Sequence, residues 1–273
     1  MNKGMNKVFR AMFIVMSTAM LGLSGYGAYA LVTIPPRVQQ GQKDIEEMLR
    51  ENQEKAEAMK KQQQENLTDS ENGTGEEPET VSREGNGMRF RDAREMRVVG
   101  IGDSVMLAAL PQLYEVFPNG YFDAVFGRTI YEGMNALYEL EAQDQLGEVI
   151  VYSLGTNCYI HEEDVEELIR HSGGRPTFWL STYGVSNDSN EVTLRVIERY
   201  DNAFYIDWET LALANRSAYI SSDALHPTTE GSYAYANLIA DTITKEIRRY
   251  ELKKTKHIKL AEPEPENEET PAN

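Results

Sequence analysis

From residue 96 to residue 252 the chain alternates between two apolar patterns. Short unbroken apolar runs predict strands at 96–101, 121–126, 148–154, 177–181 and 203–206, and EVIVYSL at 148–154 reads as a buried one. Between them lie stretches that predict helices at 105–116, 130–141, 162–170 and 189–200, with a long closing helix at 228–250. Strands separated by helices of this length predict a central parallel sheet covered on both faces, a three-layer α/β sandwich. In such sheets ligands bind outside the carboxyl ends of the strands, so chemistry is sought in the residues that follow each strand.

The pattern upstream is different. Lys3, Lys7 and Arg10 precede 24 uncharged residues, 11–34. As a helix this run reaches about 36 Å, enough for a hydrocarbon core of about 30 Å, and the leading positive charges place the remainder of the chain outside the cytoplasm. The reading is one N-terminal transmembrane helix, residues 1–35, that tethers a catalytic domain at the outer face of the cell membrane. A signal peptide cleaved after Ala28-Tyr29-Ala30 is the alternative, and it yields a secreted protein. Residues 36–88 read as a charged helical stalk, rich in Glu, Lys and Gln over 44–65, followed by a polar spacer containing Pro78. Residues 89–252 form the expected folded domain, and residues 253–273 a disordered tail ending in Glu-Pro repeats.

Charge narrows the partners. Within 96–252 there are 10 basic and 24 acidic residues, a net charge of −14. Such a domain repels a phosphate backbone, so no nucleic acid is expected as a partner. Cys158 is the sole cysteine, which excludes an internal disulfide and a cysteine-based zinc site.

Four post-strand segments carry candidate chemistry. After the first strand, Gly102-Asp103-Ser104 sets a serine hydroxyl where a helix begins. After the second, Gly127 permits close backbone approach and offers an amide donor. After the third, Gly155-Thr156-Asn157 supplies a side-chain amide that can point an N–H at a developing oxyanion. Ahead of the last helix, Asp223 precedes His226 by three residues in a loop fixed by Pro227, a spacing that lets a carboxylate orient an imidazole. Each segment alone is also what an ordinary turn or cap contains. Their joint placement after strands is what points to nucleophilic catalysis. His161-Glu162-Glu163-Asp164 reads as an acidic first turn favoured by the helix dipole, not a metal site. Cys158 and Trp179 read as packed residues, and Trp208 as an aromatic under a loop.

These blocks resemble those of the SGNH (GDSL) hydrolase superfamily. GDSVM at 102–106 and IDWETLA…SSDALHPTTEGSYAYANLI at 206–239 are similar to the extracytoplasmic domain of peptidoglycan O-acetyltransferases. The resemblance covers residues 96–250. It implies Ser104 as nucleophile, His226 as general base and Asp223 as its orienter, with the Ser104 amide, the Gly127 amide and the Asn157 side chain as oxyanion hole. It implies no cofactor and no metal. It also implies an O-acetyltransferase or acetylesterase acting on acylated glycan, with peptidoglycan as the expected substrate. Because the chain has at most one expected span, an acetyl donor would have to come from a separate multi-span membrane acyltransferase. The competing expectation is an inactive envelope scaffold of the same fold that binds glycan.

Overall fold

The computed structural model describes residues 43–55, 57–59, 61, 91–185 and 188–261. Five strands form one all-parallel sheet: β1 (Val98–Gly102), β2 (Tyr121–Ala124), β3 (Val149–Ser153), β4 (Thr177–Leu180) and β5 (Ala203–Ile206), in the order β2-β1-β3-β4-β5. The expected three-layer α/β arrangement with a central parallel sheet is present. β1, β3 and β4 are buried at every position, as their continuous apolar runs require, whereas the edge strands β2 and β5 are buried only at intervals.

The helices are α1 (residues 43–55), α2 (Ser104–Ala108), α3 (Leu110–Val116), α4 (Ile130–Ala142), α5 (Glu162–His171), α6 (Ser189–Ile197), α7 (Trp208–Ala214), α8 (Arg216–Tyr219) and α9 (Thr229–Ala261). α4, α5 and α6 close one face over a core that includes Ile101, Tyr152, Leu168 and Trp179. α3 and α9 pack together on the other side, where α9 buries Ser232, Tyr235, Ala236, Ile239, Ala240, Ile243 and Ile247, a stripe at helical spacing. Trp208 is fully buried edge-on to Tyr235, with ring centroids 5.2 Å apart.

Three departures from the sequence pattern have local causes. The helix expected over 105–116 breaks at Ala109 into α2 and α3, because Pro111 lacks an N–H and its ring would press on the carbonyl four residues back. The stretch between β5 and the closing helix, read as a loop, contains α7 and α8. Its N-cap is Asp207, whose carboxylate accepts the Thr210 N–H at 3.0 Å. The closing helix runs on to Ala261, beyond the expected end at 250.

Among the described residues no helix is long and apolar enough to cross a membrane, and residues 11–34, where the anchor or signal peptide is expected, lie outside them. By compactness the chain divides at residues 46 and 47. From Glu47 onward α1 belongs to the same compact unit as the sheet. Most of its side chains are exposed, but Leu49 is buried and Asn52 donates to the Ala108 carbonyl at 2.7 Å.

Candidate active site

The register of the sheet assembles the site. Gly102 at the end of β1 is paired with Ala124 at the end of β2 and with Ser153 at the end of β3, so three strands stop at one level. The chain order reverses here, β1 feeding outward to β2 while β3 lies on its other side. This is the switch point at which parallel sheets open a crevice. Asp103-Ser104 therefore emerges between the segment carrying Gly127 and the segment carrying Asn157.

Ser104 is the first residue of α2 and is buried, as is Asp103 before it. Asp103 caps α2 by accepting the Val105 N–H at 2.9 Å, and its own N–H donates to the Ser153 carbonyl at 3.0 Å. Complete burial drives the Asp103 carboxyl up to about 6, against the downward pull of Val105, Thr156 and the charge of His226. His226 thus acts electrostatically on the residue that precedes Ser104.

The loop carrying His226 has no regular structure and is held by its own polar groups. Asp223 accepts four hydrogen bonds. Its Oδ1 receives Ser221 Oγ at 2.5 Å, the Leu225 N–H at 3.0 Å and the His226 N–H at 3.1 Å, while Oδ2 receives His226 Nδ1 at 2.5 Å. Burial would raise this carboxyl. The bonds from His226, Ser221 and Leu225 outweigh it and hold Asp223 well below the usual carboxylate range. An ionised Asp223 favours the imidazole tautomer with its proton on Nδ1, in which Nε2 is the acceptor. Nε2 is buried and has no hydrogen-bond partner among the described residues. An orphaned buried acceptor of this kind calls for a functional reason, and a base waiting for a substrate-linked proton is one.

Around this loop the chain is fastened to its neighbours. Ile220 and Pro227 form an antiparallel bridge, Ser221 N–H donates to the His226 carbonyl at 2.9 Å, and Thr228 Oγ1 donates to the Ala218 carbonyl at 2.6 Å. Gly231, in the first turn of α9, lies so close to the Tyr219 carbonyl that a Cβ would sit 2.1 Å from its oxygen. Only glycine lets α9 start there. Ser232 Oγ then reaches the Ala108 carbonyl at 3.3 Å and ties α9 to the end of α2.

On the other side, Gly127 has φ +71° and open space around it, so its backbone stands clear of side chains. Asn157 is exposed and donates through Nδ2 to the Arg128 carbonyl at 3.2 Å, which leaves one of its two side-chain N–H groups available. A second link, Ile130 N–H to Cys158 Sγ at 3.3 Å, fastens the same two segments. The structure thus brings Gly127 and Asn157 into one neighbourhood, beside the turn that carries Ser104.

Arg128, which sequence reasoning left without a role, organises this neighbourhood. Its buried guanidinium pairs with Asp123 Oδ1 at 2.9 Å and reaches the carbonyls of Asp123 at 2.5 Å and Gly102 at 3.3 Å. It binds the ends of β1 and β2 while its own carbonyl holds Asn157. The available signal was a lone cation five residues after an aspartate in an acidic domain. His161 and Asp164 have the bland role expected of them, the Asp164 carboxylate accepting the His161 N–H at 2.9 Å at the start of α5.

With this geometry in hand the likenesses to known proteins can be placed. No family model matches the chain. It is 26% identical over 152 residues to peptidoglycan O-acetyltransferase OatA of Listeria monocytogenes, covering 55% of this chain and 24% of that protein. It is also 26% identical over 149 residues to the candidate peptidoglycan O-acetyltransferase YrhL of Bacillus subtilis, covering 54% and 23%. The chain spans about a quarter of the length of these curated relatives. In fold it superposes on the C-terminal catalytic domain of Streptococcus pneumoniae OatA, solved with a methylsulfonyl adduct, with a TM-score of 0.50 at 17% identity over 56% of this chain and 96% of that one. The resemblance read from the blocks at 102–106 and 206–239 is thus borne out: the folded part of the chain is similar in sequence to peptidoglycan O-acetyltransferases and has the fold of the catalytic domain of one of them.

Proposed function

We propose that the protein is a serine acyl-ester enzyme of the cell envelope that moves or removes acyl groups on peptidoglycan glycan. The observation that carries this reading is the Asp223–His226 pair, its Nε2 buried and unpartnered among the described residues. In the reaction Ser104 Oγ attacks the acyl carbonyl while His226 Nε2 takes its proton. The oxyanion that forms is met by the N–H groups of Ser104 and Gly127 and by Nδ2 of Asn157. The imidazolium returns its proton to the leaving alkoxide, and the acyl group stays on Ser104. A water or a sugar hydroxyl then attacks the acyl-enzyme and gives its proton to His226, which passes it to Ser104 Oγ as the acyl C–Oγ bond breaks. Asp223 keeps the imidazole in the tautomer that both proton transfers need.

The likeness to peptidoglycan O-acetyltransferases supports acetyl as the group and envelope glycan as the acceptor. The proposal includes a tether through residues 11–34, with the catalytic domain outside the cytoplasm and acetyl delivered by a separate multi-span acyltransferase. The test is a serine-directed fluorophosphonate probe together with p-nitrophenyl acetate turnover on the full chain. Wild-type protein should be labelled and active, and Ser104→Ala should lose both while melting within a few degrees of wild type. A chain that is neither labelled nor active would instead be a glycan-binding scaffold.

A further inference from the structure

Hydrophobic exposure is concentrated around the proposed oxyanion donors. Eight large apolar side chains are exposed among the described residues, and four of them, Val125, Phe126, Tyr131 and Tyr159, belong to the segments that follow β2 and β3. Phe126 immediately precedes Gly127 and is 63% exposed, and Tyr159 follows Asn157 by two residues and is 68% exposed. The bonds from Asn157 to Arg128 and from Ile130 to Cys158 fasten the two segments into one ledge that carries both the rings and the donors. Leaving two aromatic faces in water costs apolar burial that the domain gains at most of its other aromatic positions. A recess of about 360 Å³ opens at Tyr159, lined also by Ile160, His161, Glu163, Val192 and Arg195, which is a volume typical of small-molecule sites.

The polar groups around the ledge select among occupants. The cations are already committed, Arg128 to Asp123 at 2.9 Å and Arg195 to Glu162 at 3.0 Å, while Glu162, Glu163 and Asp188 line the recess. An anionic ligand would meet carboxylates. An acyl chain or lipid surface would have to strip water from those same carboxylates without replacing it. A neutral pyranose satisfies both halves of the surface: its C–H face lies on an aromatic ring, and its hydroxyls donate to carboxylates and accept from His161 or Arg195.

We infer that Phe126, Tyr159 and the adjoining recess form a subsite for neutral sugar rings of a glycan chain, which holds the acyl-bearing unit over Ser104. This deepens the acyl-ester reading and rests on it. Chitopentaose, a neutral oligosaccharide, is the probe, titrated into the full chain in detergent with Ser104→Ala present so that no turnover intervenes. Adding Tyr159→Ala or Phe126→Ala should weaken its Kd about tenfold, and Tyr159→Trp should hold it within about twofold, because a larger ring face is retained. Both positions are exposed, so all variants should melt close to the parent. Unchanged binding in both alanine variants, or no binding of chitopentaose to the parent, overturns the subsite. Phospholipid vesicles binding through the same residues in preference to chitopentaose overturns it too. Fluorophosphonate labelling of the chain with Ser104 intact separates the two readings. A labelled chain whose sugar binding ignores Tyr159 loses the subsite and keeps the enzyme, and an unlabelled chain that binds chitopentaose through Tyr159 keeps the subsite and loses the enzyme.

Discussion

The two sides of the site are built by opposite means. The loop of Asp223 and His226 is a closed polar network in which one carboxylate accepts four hydrogen bonds and the imidazole side chain is only 7% exposed. The side of Gly127 and Asn157 is open, fastened by two cross-links, and faces water with aromatic rings. A proton acceptor has to be held in one tautomer and one orientation, which takes many bonds and little solvent. Donors to a transient oxyanion must instead sit where a bulky substrate can reach them. In the proposed mechanism rigidity belongs to the base, and access to the donors.

The largest effect should come from the closed side. Asp223→Asn leaves a residue of the same shape but removes the charge that fixes the Nδ1–H tautomer, and kcat on p-nitrophenyl acetate should fall about 10⁴-fold. A loss under tenfold would mean that the network only shapes the loop. Next comes the open side: Asn157→Ala should reduce kcat by about 10²–10³ with a smaller change in KM, as for other single oxyanion donors. Its lost bond to Arg128 adds about 1 kcal/mol of destabilisation, so measuring melting and kinetics on one variant separates the catalytic from the structural share.

The smallest effect lies between the two sides, at Asp103. A carboxyl raised from its ordinary value to about 6 binds its proton more tightly in the folded chain than in the unfolded one. Its contribution to stability is therefore full below the unfolded value near 4 and is lost as pH rises from about 4 to about 6. Asp103→Asn keeps a good N-cap and removes this titration. The unfolding free energy of the variant relative to wild type should rise across that window, by on the order of 2–3 kcal/mol at most. A constant difference between pH 4 and 7 would show that Asp103 titrates normally.

What the sequence disclosed, and what it concealed, follows from the range of the forces involved. β1, β3 and β4 were legible because strands buried on both faces must be apolar throughout, and Ser104, Asn157 and the Asp223–His226 pair were legible because each follows a strand or precedes a helix by a fixed spacing. Pro111 could have announced the break at Ala109, but a proline near a helix start is also an ordinary first-turn residue. α7 and α8 were missed because they are short, and α7 buries little of its own length beyond Trp208 and Ala212. The roles of Arg128 and Gly231 depend on contacts with residues brought near only by the completed sheet and by α9. No local pattern encodes such contacts, and the docking of Leu49 and Asn52 was hidden for the same reason.

That docking bears on the proposed tether. Asn52 is bonded to the end of α2, and at the other end of the intervening chain Arg91 is bonded to Glu148, just before β3. The described residues on either side of 62–90 are thus bonded into the same compact unit. Inserting more residues there adds no distance between the domain and whatever lies upstream. Doubling that stretch adds only a closure entropy of about 0.6 kcal/mol.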